Sequence, residues 1–228
     1  MSTGQFLIRA SLLSIRLLLT AGVLVSLGCS SLTSNKPILG AAPFAPKNYV
    51  GDVNLPFVMK RVVLLPVCGG DVTPPETAAE LDSVFATALG RQMRFEVVTL
   101  SREECLRRFG RETVSSASAL PIDFLKNLGH DFGAQGVLFV DLTAFQAYRP
   151  LELGVRAKLA SVSDTRLIWS FDEVFSADNP EVANSVGQYF SSNSPTDIPM
   201  DNAAAAFISP TKYATYVANT VFKTLPRR

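Results

Sequence analysis

The sequence predicts a single α/β (α+β) domain: a mixed five-stranded sheet with helices packed on it, in the order β-α-β-α-α-β-β-β-α-α. Two observations support this fold class. In the first half, short apolar runs at residues 61–67 and 95–100 alternate with segments that carry apolar residues at helical spacing. In the second half, residues 151–160 place an apolar residue at every second position, which is typical of a strand with one buried face.

The first half is predicted to form a strand–helix–strand–helix unit. Residues 61–67 are almost wholly apolar, as in a strand covered on both faces, and they end in a Cys-Gly-Gly turn. Residues 74–90 begin with two prolines, carry apolar residues on one face and end in glycine, which predicts a helix. A second strand follows at 95–100, and residues 101–109 have the capping-box spacing of a second helix. A right-handed crossover then predicts parallel pairing of the two strands.

The second half is predicted to contain a helix, a three-stranded antiparallel meander and two further helices. Turn signals at Arg149-Pro150 and at residues 163–165 separate the three strands. Ser209 caps the last helix and Pro210 takes its first position. The predicted elements occupy residues 122–132, 137–145, 151–159, 167–175, 179–190 and 209–225.

Helical and strand periodicity also predict which side chains face the core. In the second helix Cys105, Leu106 and Phe109 are expected to point inward. The last strand of the meander is expected to face the same way as the strand before it, through Leu167, Trp169, Phe171 and Phe175. Tyr189 and Phe190 are expected to pack in the core rather than to form a binding surface.

Residues 1–28 follow the pattern of a secretory signal peptide. Arg9 and Arg16 precede an apolar run at residues 17–28, and the segment contains no acid. As a helix the run would span about 18 Å, against roughly 30 Å for a bilayer core. A permanent membrane anchor, the main alternative, would have to bury both arginines at roughly 2.5–3.5 kcal/mol each. An ordinary core helix is the other alternative.

The end of this segment resembles the lipobox of bacterial lipoproteins. Residues 25–29 read Val-Ser-Leu-Gly-Cys, with Ser26 where the family prefers leucine. The resemblance implies that Cys29 receives a diacylglycerol by thioether, becomes the new N-terminus and is then acylated, for example with palmitate. Ser30 follows it, and the absence of an aspartate there implies sorting to the outer membrane. An ordinary signal peptide followed by a chance cysteine is the alternative.

The mature chain is predicted to have two parts. Residues 29–56 are rich in Ser, Pro, Ala, Asn and Gly and are interpreted as the lipidated N-terminus with a flexible tether. Residues 57–228 then form one periplasmic domain, facing the periplasm from the outer membrane. Loss of Arg9 and Arg16 leaves 19 basic residues against 20 acidic ones, a formal charge of −1. This balance argues against a nucleic-acid partner.

Two cysteines, Cys68 and Cys105, remain after the lipidated one. An oxidising periplasm permits a disulfide between them. Cys105 lies beside Leu106 and Phe109 in a predicted helix, so buried free thiols are the equal alternative.

Few residues suggest chemistry. His130 is the only histidine, and its neighbour Asp131 is expected to point away from it on a helix, so no catalytic triad is predicted. No paired spacing of zinc ligands occurs, and no metal or other cofactor is expected beyond the lipid. Residues 68–71 (Cys-Gly-Gly-Asp) are interpreted as a turn with a buried thiol; anion binding and a Cys68 nucleophile are the alternatives.

One surface suggests binding instead. Residues 148–151 and the charges Arg156 and Lys158 are candidates for a partner-facing hairpin surface, although ordinary solvated strand positions also explain them.

The element order, together with the lipobox, resembles a group of envelope lipoproteins with a small α/β domain. The group includes the curli-secretion channel lipoprotein, the penicillin-binding-protein activator lipoprotein and the N-terminal domain of the Tol-system propeller protein. Residues 61–67, 95–100, 133–140 and 151–175 carry the resemblance. It implies a non-enzymatic lipoprotein that binds an envelope protein or self-associates, with no small-molecule substrate. A subunit of a secretion assembly and a periplasmic enzyme using the Cys68 loop are the alternatives.

Overall fold

The computed structural model describes residues 42–192 and 204–228. The signal peptide, the lipobox and Cys29 therefore lie outside the described residues, and their assignments stay predictions.

A six-stranded mixed sheet organises the described residues. The strands are β1 (Tyr49–Gly51), β2 (Arg61–Leu64), β3 (Glu96–Thr99), β4 (Gly136–Gln146), β5 (Glu152–Ser161) and β6 (Leu167–Ser176). Their order in the sheet is β1-β6-β5-β4-β2-β3. Strand β2 pairs in parallel with β3 and β4, whereas β4, β5, β6 and β1 pair antiparallel in succession. The predicted parallel unit and antiparallel meander are both present.

The predicted count of five strands is wrong by one. The additional strand is β1, which lies in the segment predicted as a tether and pairs with β6, Tyr49 opposite Phe171. Three residues are too few for a strand period to show in a sequence. Their strand conformation depends on the free edge that β6 offers, so it is decided by tertiary contact.

Helices cover the sheet from two sides. They are α1 (Pro75–Gly90), α2 (Arg102–Phe109), α3 (Phe124–Phe132), α4 (Pro180–Ser192) and α5 (Pro210–Lys223). Helices α1, α4 and α5 share the larger hydrophobic cluster with the meander, whereas α2 and α3 enclose a smaller cluster with β2 and β4. Across the larger cluster, α1 meets α5 through Phe85 and Phe222, whose rings lie edge to face at 6.0 Å.

Most side chains predicted to face the core are buried, but two leucines are not. Leu106 is exposed because α2 is short and turns only Cys105 fully into the core. Leu167 is exposed because the register between β5 and β6 shifts after Leu159. The first residue of β6 therefore does not follow the alternation of buried and exposed side chains that holds for the rest of the strand. Tyr189 and Phe190 are half-buried and pack against the edge of the larger cluster.

Strand β2 is shorter than predicted because of Pro66. Proline cannot donate to a ladder, and regular pairing ends at Leu64. Pairing with β4 resumes at Cys68, whose backbone N–H donates to Val140 O at 2.9 Å and whose carbonyl accepts from Leu142 N at 2.8 Å. This second contact holds the Cys68 loop against the middle of β4.

Candidate functional site: a polar sheet face beside the Cys68 loop

The Cys68 loop owes its shape to its two glycines. A Cβ on Gly69 would lie 3.0 Å from Ala78 Cβ and 3.1 Å from Thr73 Cβ, so a larger residue would have to push the loop and α1 apart by a few tenths of an ångström. Gly70 has φ +53°, in the left-handed region that glycine adopts without strain. Packing and backbone conformation therefore account for the glycine pair.

The Cys68 thiol is partly buried. Its Sγ accepts a hydrogen bond from Thr113 Oγ1 at 3.6 Å. Among the described residues Sγ has no basic or acidic hydrogen-bonding partner, and both Cys68 and Cys105 are free thiols. Cys105 is fully buried beneath α2, and this burial raises the pKa of its thiol. A raised pKa keeps the Cys105 sulfur protonated and unreactive near neutral pH.

Opposite Cys68 on β4 stands a buried carboxylate, Asp141. Its two oxygens accept from the backbone N–H of Ser116 at 3.2 and 3.1 Å. The loop that carries Ser116 is therefore fixed over β4 by a charge-assisted hydrogen bond. The same loop carries Thr113, so one segment contacts both the thiol and the carboxylate.

Three further charges continue from Asp141 across the meander. Arg156 on β5 stands opposite Asp141 in register on one side and opposite Asp172 on the other. The Arg156 guanidinium donates to Asp172 Oδ2 through Nε and Nη2, both at 2.7 Å. Lys158, two residues along β5, donates from Nζ to Ser116 O at 3.1 Å.

These four residues form what we term the polar sheet face: Asp141, Arg156, Lys158 and Asp172. Arg156, Lys158 and Asp172 are half-exposed, while the alternate residues of β5 are buried against α4 and α5. Antiparallel sheets commonly keep one face solvated in this way. The structure thus brings the Cys68 loop and the Arg156/Lys158 surface, predicted separately, onto one side of the sheet.

The hairpin at residues 148–151 contributes less than predicted. Leu151 is buried, and the exposed Arg149 is tied down by a hydrogen bond from its Nε to Phe207 O at 3.1 Å. Tyr148 is the exposed apolar residue of this hairpin, at 84% exposure. It lies at the end of the meander, beyond the Gln146–Glu152 pair and about 13 Å along β5 from Arg156.

His130 lies on the outer surface of α3, with its side chain 90% exposed. The expectation that Asp131 points away from it is wrong, because His130 Nδ1 lies 3.1 Å from Asp131 Oδ1. The hydrogen bond from His130, together with Arg108, holds the pKa of Asp131 below its usual value. Among the described residues Asp131 is the only hydrogen-bonding partner of His130, and no nucleophile joins the pair.

The described residues offer neither a cluster of metal ligands nor a helix that could span a membrane. Residues 42–192 and 204–228 include no group of three or more His, Cys, Asp or Glu side chains that would hold a metal ion. No helix in these two ranges has both the length and the apolar character needed to cross a bilayer.

Asp141 and Asp172 were missed in the sequence. Asp141 carries a signal, because it is the one charge in the apolar run Val137-Leu-Phe-Val-Asp-Leu142. A buried charge is tolerated only with partners, so such a position predicts a specific contact. Asp172 carries no comparable signal, since it occupies an ordinary outward position of a strand.

No protein-family model matches the chain, and neither does any curated protein. Among solved structures it is similar to PelC from Paraburkholderia phytofirmans, a dodecamer: 14% identity over 79% of this chain and 96% of that chain, TM-score 0.49. It is similar to lipoprotein GNA1162 from Neisseria meningitidis, with 15% identity over 53% of this chain and 85% of that chain and a TM-score of 0.41. It is also similar to the LpoB C-terminal domain from Salmonella enterica, with 18% identity over 50% of this chain and 80% of that chain and a TM-score of 0.33. At these identities and scores the similarity concerns the fold alone.

Proposed function

We propose that this protein is an outer-membrane-anchored, periplasm-facing lipoprotein that acts as a non-enzymatic binding or assembly factor for envelope proteins. Its anchor is the lipid on Cys29, and its partner is another envelope protein or a further copy of itself. The polar sheet face carries the proposal. It offers three half-exposed charges, Arg156, Lys158 and Asp172, fixed in place beside the buried Asp141, and fixed charge patterns give protein interfaces their specificity and register.

The enzymatic alternative has less support from the site. A cysteine nucleophile needs a neighbouring base or a positive environment that lowers its pKa. Among the described residues the only side-chain partner of Cys68 Sγ is the Thr113 hydroxyl, which donates a hydrogen bond and is no base.

The anchor is tested by Cys29→Ser. We expect the variant to lose acyl labelling, because a serine oxygen cannot form the thioether that attaches the diacylglycerol, and the protein then has no lipid anchor. The measurement is incorporation of labelled palmitate, followed by fractionation of the envelope. Cys68→Ser is the matched control and keeps both the label and the membrane association. A Cys29→Ser protein that is still acylated and membrane-bound at mature size would contradict the proposal.

The polar sheet face is tested by reversing its central charge. Arg156→Glu is expected to reduce chemically crosslinked complexes in intact envelopes by about tenfold or more, because it places like charges beside Asp141 and Asp172. Arg156→Glu with Asp172→Arg restores the internal ion pair but not the charge pattern. We therefore expect its thermal stability to recover while crosslinking stays low.

Cys68→Ala is the control for this experiment. It removes the thiol beside the polar sheet face and is expected to leave crosslinking unchanged. Loss of the protein's cellular role in Cys68→Ala, with the fold and the crosslinks intact, would favour the enzyme instead.

A further inference from the structure

A second surface, unrelated to the polar sheet face, lies at the amino ends of two neighbouring parallel strands. Residues 53–61 lead into β2 and residues 90–95 lead into β3. Because Arg61 and Glu96 are paired in register, both segments lie at the same end of the sheet. The two segments contain four basic residues and no acid. We term this the amino-end surface; its main residues are Val53, Phe57, Val58, Lys60, Arg91 and Met93.

The amino-end surface exposes large apolar side chains. Phe57 is 88% exposed and Met93 is 87% exposed, and Val53 and Val58 are also exposed. Met93 has φ +52°, a conformation that glycine or asparagine adopts with less strain. Folding alone gives no reason for a methionine there. Clustered exposed apolar groups of this kind mark interaction sites.

The positive charges of this surface are largely unneutralised. Arg61 pairs with Glu96 at 2.8 Å, but Lys60, Arg91 and Arg94 have no carboxylate partner among the described residues. Lys60 Nζ lies 5.8 Å from the centre of the Phe57 ring, and Arg94 Nε is buried without a hydrogen-bonding partner in the described part of the chain. A basic surface of this kind complements an acidic partner.

A hollow of about 280 Å³ adjoins the apolar residues. Its apolar wall is formed by Pro56, Val58, Met59, Ala134, Val162 and Ile168, and its polar wall by Gln135, Ser161, Ser163, Asp164 and Arg166. Its size suits a single side chain of a partner, and a few fully buried anchor residues carry most of the binding energy in many protein interfaces.

The path of the chain favours a protein over a membrane as the occupant. The Phe44 ring packs edge to face on Phe175 at 5.3 Å, and Asp52 N donates to Ile168 O at 3.0 Å. The chain therefore runs along β6 for seven residues, about 23 Å, between its first described residues and the amino-end surface. If the lipid is on Cys29, as the proposed function holds, this surface lies at the far end of β6 from the side where the chain arrives.

Charge also argues against a second copy of the chain. A two-fold dimer through this surface would place Lys60, Arg91 and Arg94 of one copy against those of the other. Like charges in an interface oppose binding, so a different, acidic partner fits better.

We propose that the amino-end surface binds an acidic segment of another envelope protein, with one apolar side chain of that segment in the hollow beside Val58. This inference rests on the proposed function for its choice of a protein over a lipid surface. The partner's carboxylates face Lys60, Arg91 and Arg94, and its apolar residues pack on Phe57 and Met93.

The test places a photo-reactive phenylalanine analogue at position 57 of the full-length protein in intact cells. Matched probes replace Tyr148, an equally exposed aromatic residue at the other end of the sheet, and Val174, which lies on the outward side of β6 beside the polar sheet face. We expect the probe at position 57 to crosslink another protein through an acidic segment identified by mass spectrometry. Lys60→Glu with Arg91→Glu lowers the yield about tenfold or more, whereas the control pair Lys47→Glu with Arg111→Glu does not.

Charge compensation completes the test. Changing acids of the captured segment to lysine is expected to restore crosslinking to the Lys60→Glu, Arg91→Glu variant. A lipid adduct, a product made only of two copies of this chain, a yield independent of charge or no product at position 57 would overturn the inference. If position 57 is silent while the Val174 probe captures an envelope protein, the inference fails and the proposed function stands.

Discussion

Replacing Phe85 with alanine is expected to lower the free energy of unfolding by about 3–5 kcal/mol. Phe85 is fully buried on the inner face of α1, where its ring meets Phe222 of α5 edge to face. The substitution removes this contact and leaves a cavity beside α5 and the sheet, which the surrounding helices and strands can close only in part. Natural domains are stable by about 5–15 kcal/mol, so the loss is a large fraction of the total.

Urea unfolding followed by tryptophan fluorescence measures this loss. Trp169 is the only tryptophan and is buried in the same hydrophobic cluster, so its emission reports the unfolding of that core. Leu106→Ala is the control, since Leu106 is exposed on α2, and is expected to change stability by about 0.5 kcal/mol or less. A Phe85→Ala loss below about 1 kcal/mol would contradict the packing described for α1 and α5.

Asp82→Ala is expected to lower the free energy of unfolding by about 2–3 kcal/mol, through a different mechanism. Asp82 on α1 accepts from Arg102 Nε at 2.7 Å and from Val67 N at 2.7 Å. Arg102 Nη2 in turn donates to Val67 O at 2.8 Å. The substitution leaves a largely buried guanidinium without its carboxylate and a backbone N–H without an acceptor, just where Pro66 has interrupted the strand.

A double-mutant cycle with Arg102→Ala separates the pair from its surroundings. We expect a coupling energy of about 1–3 kcal/mol between positions 82 and 102, measured by the same unfolding experiment. The surface pair Asp52–Arg166, which is more exposed, is the control and is expected to couple by about 1 kcal/mol or less. Equal coupling energies in the two pairs would mean that the hydrogen bonds to Val67 do not strengthen the Asp82–Arg102 interaction.

The elements that the sequence predicted well are those with long periodic patterns. Helix α5 buries Tyr213, Val217 and Val221 of the predicted stripe, whose last member, Leu225, is buried just beyond the helix end, and β5 buries every second residue from Leu153 to Leu159. In both cases one face is buried along the whole element, so the period of the side chains appears directly in the sequence. Local signals also worked at helix ends, where Ser101 caps α2 by accepting from Glu104 N.

The elements that were missed depend on distant partners. Strand β1 exists because β6 has a free edge beside it, and the outward position of Leu167 follows from a shift in register between β5 and β6. Neither the pairing of β1 nor the shift at Leu167 can be predicted from the sequence of those few residues. Register is set by the sheet as a whole, and a shift of one residue turns a side chain to the other face.

The candidate site divides in the same way. The sequence singled out Cys68, Arg156 and Lys158 as residues of interest, but it placed Cys68 in a different element from the two basic residues and left their relation open. The pairing of β2 with β4 and of β4 with β5 brings Cys68, Asp141 and Arg156 into one row across the sheet. The positions at which α2 and α3 pack then decide which part of the sheet stays open to solvent. No local sequence pattern predicts those positions.

By itself the sequence determined the α/β class, the order of the main elements and many of the side chains that are buried, because periodicity and turn residues act over a few neighbouring positions. Only the tertiary structure decided the sixth strand, the alignment of charges on the polar sheet face and the joining of two short segments into the amino-end surface. Each of these features depends on backbone hydrogen bonds between residues that are distant in the chain. Because almost every residue carries the same backbone donor and acceptor, the sequence does not show which residues pair.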